Sequence, residues 1–195
     1  MQKEKIIVAG FDPPSSSNLG WSVFSTDNPD KIGKFIDGGV FYLPSDESER
    51  LLSIRDFLVD LIETHNINTM CFERSIGFGM ANIREKIGEN TGVIKLVGAS
   101  YGIKFVALHT STMAKLFTGF GGSKDKDGVT KKTLTKQKAR DIFYPGKSFK
   151  EISSKNGKEN FEHFADAIGF CVAYLLTQDF VVEGAGGKFE PKTNK

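Results

Sequence analysis

The run Ile6-Ile7-Val8-Ala9-Gly10-Phe11 stops at Asp12-Pro13-Pro14, and this junction limits what the chain can fold into more than any other stretch. Two successive prolines lack the amide donors that a paired strand needs, so the apolar run reads as a buried strand with a carboxylate at its C-terminal end. Residues 20–25 and 39–43 are two further strand candidates, separated by the turn signal Asp27-Asn28-Pro29-Asp30. Together the three predict an antiparallel meander.

Ser45 or Asp46 can cap a helix whose apolar residues Leu51, Ile54, Phe57, Leu58, Leu61 and Ile62 fall on one stripe. Residues 69–72 then form a fourth strand, ended by Glu73 much as Asp12 ends the first, with a right-handed crossover between them. Ile83, Ile87, Ile94 and Val97 recur at helical spacing and predict a helix over 82–100, stopped by Gly102. Residues 105–108 supply a fifth strand, and His109-Thr110-Ser111-Thr112 offers caps for a short helix through 113–117. Residues 119–133 carry Gly, Lys and Asp without an apolar period and read as a surface loop, the core of a basic insertion at 119–134. A basic helix is expected over 135–143. A last helix over 160–177 turns Phe161, Phe164, Ala165, Ile168, Val172 and Leu175 inward. The order βββαβαβα predicts one α/β domain over 1–183, with a mixed five-stranded sheet flanked by helices and a frayed tail over 184–195.

The 195 residues are about one domain's worth of chain, and the longest apolar runs fall well short of a membrane-spanning helix. Met1 to Lys5 lead into only a short apolar segment, so no signal peptide is expected and the setting is read as cytoplasmic. Cys71 and Cys171, a hundred residues apart in apolar surroundings, fit buried reduced thiols rather than a disulfide frame or a zinc site. The net charge of +2 conceals an uneven distribution: residues 120–158 hold eleven Lys/Arg against four Asp/Glu, a local balance of +7 that leaves −5 for the rest. A basic segment on an acidic body points to a polyanionic partner.

Asp12 and Glu73 both end strands, where ligands of open α/β sheets collect. If those strands are parallel neighbours, two carboxylates project into one crevice, and their repulsion invites a divalent cation. His163 and Asp166 stand three apart on the last helix, so a donor nitrogen and a third carboxylate share a face. Polar residues on an otherwise apolar stripe must be satisfied, which docking over the Asp12/Glu73 crevice would do.

Gly10-Phe11-Asp12-Pro13 with Ser15-Ser16 and Gly20-Trp21, Phe72-Glu73, and His163-Phe164-Ala165-Asp166-Ala167-Ile168-Gly169 resemble, in order, the opening turn, second acidic strand end and closing helix of the RuvC family of Holliday-junction resolvases, within the RNase H-like nuclease superfamily. The closing helix is the variant with His in place of the first carboxylate of the usual pair. The resemblance spans most of the chain. It implies an RNase H-like fold and a homodimer that nicks two opposed strands of four-way or branched DNA, leaving 5′-phosphate ends. It also implies two Mg²⁺ per site, with Mn²⁺ able to substitute, held by Asp12, Glu73, His163 and Asp166. Phe78 matches an aromatic that stacks at the crossover. Lys136 matches a lysine beside the scissile phosphate, with Lys131 and Lys132 as competitors because the 121–133 insertion is longer than the family's loop. Arg74, Arg84, Lys124 and Lys138 complete the DNA-contact candidates. Pro14 stands where the family has Gly or Ser, and the turn to Gly20 is one residue longer.

The helix over 82–100, with Gly88, Gly92 and Gly98 allowing close approach, is the candidate dimer interface. Three rival readings stay open: a nuclease for RNA–DNA hybrids, flaps or other branched DNA; an actin-like ATP-binding module; and a junction-binding protein without activity. The actin-like class wants a Gly-Thr-rich phosphate loop, for which Pro13-Pro14 is a poor substitute. A phage origin, which would make the host cytoplasm the setting, fits so compact a chain. Neither a cleavage sequence nor a helicase partner is written in these residues.

Overall fold

A computed structural model describes residues 5–13, 17–27, 30–74, 81–124, 127–152, 154–155, 158–159 and 161–191. The chain opens with strands β1 (Ile7–Asp12), β2 (Asn18–Asp27) and β3 (Ile32–Tyr42), followed by α1 (Glu47–His65), β4 (Thr69–Glu73), α2 (Ala81–Ser100) and β5 (Lys104–Leu108). Helices α3 (Thr110–Thr118), α4 (Lys131–Phe143) and α5 (Phe149–Ile152) come next. A small hairpin of β6 (Ser154–Lys155) and β7 (Lys158–Glu159) precedes the long helix α6 (Phe161–Thr177), and β8 (Val181–Gly184) and β9 (Gly187–Phe189) close the chain. The main sheet runs β5-β4-β1-β2-β3-β8-β9. As expected, β1, β2 and β3 form an antiparallel meander, and β4 lies parallel to β1. Among the described residues no helix is long and apolar enough to cross a membrane.

Local signals explain most boundaries. The Asp46 side chain accepts the Glu49 amide at 3.0 Å and starts α1, and Asn66, left-handed at φ 55°, ends it. β1 is buried along most of its length because helices cover both faces of the sheet. On one face α1 and α2 enclose Ala9, Phe11, Val23, Ile54, Leu58, Met70 and Ile94. On the other, α3, α4 and α6 enclose Val8, Phe24, Met113, Phe117, Phe161, Phe164 and Phe170. Cys71 and Cys171 lie unpaired in the second core. Burial pushes the Cys171 thiol up to about 12 and raises Cys71 as well, so neither is poised as a nucleophile.

Four expectations need correction. The sheet has seven strands rather than five, because β8 pairs with β3 and β9 with β8. Residues 184–189 are therefore no frayed tail: Phe189 is buried, with its ring stacked 4.9 Å from that of Phe117. The basic helix begins at Lys131 instead of 135, since the Thr130 hydroxyl accepts the Thr133 amide and starts it a turn early. Among the glycines of α2, Gly98 does not face outward: a Cβ there would meet Phe105 and Met70, whereas Gly88 and Gly92 look onto open space.

Candidate active site

The parallel register pairs Phe11 with Phe72, so the acids that follow them, Asp12 and Glu73, end neighbouring strands side by side. Helix α6 brings the other half of the site by lying almost on the sheet's backbone. A Cβ at Gly20 would stand 2.0 Å from the His163 carbonyl oxygen, and one at Gly10 would stand 2.2 Å from that of Ala167. Any side chain at either position would lift α6 away, so these two glycines set the depth at which His163 and Asp166 reach the strand ends.

His163 Nδ1 donates to Asp12 Oδ2 at 2.6 Å. Glu73 is held from the next strand's exit, where the Thr110 hydroxyl, in the first turn of α3, donates to its Oε1. All four predicted site residues line one recess of about 310 Å³, together with Pro13, Ile87, Thr110, Ala114, Lys131, Lys132, Thr135 and Glu162. Lys132, on α4, pairs across the mouth with Glu162 on α6.

The charge states follow from this crowding. Burial, and then the negative charge of Asp12, raise the Asp166 carboxyl well above its usual 3.8. The bond to Asp12 raises the His163 pKa above 6.5, outweighing the burial that lowers it. Burial disfavours the Lys132 ammonium, but the bond to Glu162, with Asp166 and Asp12 behind it, outweighs that and holds its pKa above the usual value. A carboxyl that resists ionising next to another carboxylate marks negative charge that a cation would relieve. Three carboxylates and an imidazole are also an oxygen-rich set suited to Mg²⁺ or Mn²⁺. The four residues fit such ions in kind, although among the described residues no three His, Cys, Asp or Glu side chains converge on a single metal position. Asp12 is turned onto His163, and Glu73 onto Thr110.

The remaining sequence candidates scatter. Lys131 and Lys132 line the recess whereas Lys136, the lysine favoured from resemblance, does not. Lys138 lies over the Phe189 ring, 5.3 Å from its centroid, on the side of the C-terminal hairpin. Lys124 is exposed where it bridges to Thr130, and Arg84 is exposed on the first turns of α2. Arg74 is exposed just past Glu73, its amide bonded to the Leu108 carbonyl at 2.7 Å. Phe78 lies outside the described residues. Sequence reasoning missed Thr110 and Glu162. Thr110 was visible only as one of several cap candidates, and Glu162 only as an acid beside His163.

No model of a known protein family matches the chain, and no curated protein matches it in sequence. Solved structures do. The RuvC of T. thermophilus in complex with a Holliday junction substrate is 18% identical over 86% of this chain and 92% of that one, with a TM-score of 0.62. The Fowlpox virus resolvase, solved with substrate Holliday junction DNA, is 14% identical over 89% of this chain and 99% of that one, at 0.55. The yeast mitochondrial Holliday junction resolvase is 11% identical over 86% and 77%, at 0.52. The chain therefore has an RNase H-like fold. Within that class its form is the RuvC one, as the resemblance in sequence implied.

Proposed function

We propose that this chain is a structure-selective endonuclease that resolves four-way DNA junctions by paired, metal-dependent nicks leaving 5′-phosphate ends. The observation that carries the reading is the recess itself: Asp12, Glu73, His163 and Asp166 gathered on a RuvC-type fold, with lysines at the mouth. Asp12, Glu73 and Asp166, with His163, would hold two Mg²⁺, for which Mn²⁺ can stand in. When bound, the ions supply an activated water and neutralise charge on the leaving 3′ oxygen. Asp12 engages one carboxylate oxygen with His163 and Glu73 one with Thr110, so each keeps a second oxygen to offer a cation. His163 serves as a ligand or orients water. Lys132 and Lys131, in place of Lys136, face the scissile phosphate and offset the charge that develops on it. The lysines of the 120–158 segment track the phosphate backbone, which makes binding steeply salt-dependent.

A two-fold dimer would present two equal recesses to a junction of matching symmetry. The exposed Leu96 (73%) and Leu52 (50%), beside the groove between α1 and α2, with open Gly88 and Gly92, support a homodimer on that side. Incubation of the full chain with a synthetic four-way junction, a linear duplex and an RNA–DNA hybrid in Mg²⁺ tests the reading. Symmetric nicks in the junction alone are expected. Preference for the hybrid would replace the substrate, and binding without cleavage in Mg²⁺ and Mn²⁺ would remove the enzyme.

A further inference from the structure

Glu162 has no part in the chemistry above, yet it lines the recess and its carboxylate accepts from the Lys132 ammonium. The placement runs against local electrostatics. α4 opens with Lys131 and Lys132 and has no acid in its first turn. The positive end of a helix dipole disfavours cations there. α6 opens with the opposite charge, Glu162. Cations that α4 itself repels are thus met by an acid from the neighbouring helix, and such a violation of local preference belongs where function requires it.

The alternatives open to Lys132 show what the pair accomplishes. Its side chain is 57% exposed and that of Glu162 33%, so the ammonium sits at the rim rather than inside. A lysine stem keeps several rotatable bonds, and an untethered one spreads over solvent positions. In the other direction, Asp12 and Asp166 attract the same ammonium from within the recess. A lysine drawn onto them would occupy the carboxylates needed for cations. Glu162, at the start of α6 and one residue before His163, holds it between these extremes.

We propose that Glu162 is the positioning residue for Lys132, fixing its ammonium at the rim of the acidic recess, where a scissile phosphate meets it. The proposal rests on the junction-nuclease reading. Its rival is a structural role for Glu162, an acid in the first turn stabilising α6 through the helix dipole. The two differ in what they move. A dipole role lowers the melting temperature and is indifferent to Lys132, whereas a positioning role lowers kcat and acts only through Lys132.

The experiment compares junction nicking by wild type, Glu162→Gln, Glu162→Asp, Lys132→Ala and the Glu162→Gln/Lys132→Ala double variant, with melting temperatures alongside. Glu162→Gln should lower kcat by about 10-fold, short of the ~10²-fold that a 1 Å misplacement can cost, with KM within about twofold. Glu162→Asp keeps the charge and should recover part of the loss. In the Lys132→Ala background Glu162→Gln should cost nothing more. An unchanged kcat in Glu162→Gln, an equal further loss in the Lys132→Ala background, or a loss of melting temperature alone would each overturn the positioning role while leaving the nuclease intact. A wild-type chain that cuts no junction would overturn the nuclease reading, and this proposal with it.

Discussion

The two faces of the sheet are both covered by helices but are finished differently. Under α6 the packing is aromatic and closed: Phe24, Phe35, Phe143 and Phe164 meet at ring separations of 5.4–6.2 Å, and nearly all of α6 is buried. Under α1 and α2 it is mainly aliphatic, and the groove between the two helices leaves Leu52 and Leu96 in solvent. A buried helix cannot carry polar residues without giving them partners. Near the start of α6, Glu162 pairs with Lys132 and His163 with Asp12 in the recess that Asp166 also lines, whereas the α1–α2 face carries exposed apolar groups that a second copy would cover. On the proposed reading, one face serves chemistry and the other assembly.

The sharpest way to break this division is Asp12→Asn. Loss of one charged group from the recess should lower nicking by about 10³-fold while junction binding in Ca²⁺, read by gel shift, stays within a few-fold, because the basic surface is untouched. Loss of binding as well would make the carboxylate structural. Gly20→Ala comes next. Its new Cβ meets backbone and cannot be accommodated by a rotamer change, so α6 must rise. Stability should fall by about 1–3 kcal/mol and nicking by ~10²-fold as His163 is displaced. Gly39→Ala, which meets only Trp21 Nε1 at an ordinary 3.7 Å, should leave both unchanged and serves as the control.

On the opposite face, Leu96→Glu should convert dimer to monomer in sedimentation while single-strand nicking persists; a monomeric wild type would refute the assignment of that face. The smallest effect is that of pH. Asp166 and His163 both hold protons more tightly in the folded chain than their usual values of 3.8 and 6.5 allow. The folded state therefore binds more protons, and stability falls as pH rises, first above 3.8 and then further above 6.5. The cation-free protein should melt lower at pH 8 than at pH 5, by about 2–4 °C for each kcal/mol lost in a chain of this size. Mg²⁺ should restore most of the difference. A melting temperature that rises over this range would contradict the protonation states drawn above.

The recess was legible in sequence because each part carried a local signal. Proline after Asp12 ended β1, a short apolar run ended at Glu73, and the spacing of Phe161, Phe164, Ala165 and Ile168 placed His163 and Asp166 on one helix. What stayed hidden depends on contacts distant in sequence. β9 exists because Phe189 finds Phe117 and Phe143, and nothing within the Gly- and Lys-bearing C-terminal stretch announces those partners. The first turn of α4, Lys131-Lys132-Thr133, has no apolar residue, so periodicity begins only after the helix has started and Thr130 is the sole mark of its beginning. That one-turn error is why Lys136 looked better placed than Lys132. The depth of α6 was equally hidden, because a glycine's role in close approach shows only once the facing backbone is in place.

Locating Mn²⁺ by anomalous scattering in a soaked crystal tests the central claim most directly. Two peaks roughly 3.5–4 Å apart are expected inside the recess. Asp12, Glu73, His163 and Asp166 should be the ligands. Saturating Mn²⁺ that supports nicking yet places its peaks elsewhere would contradict it.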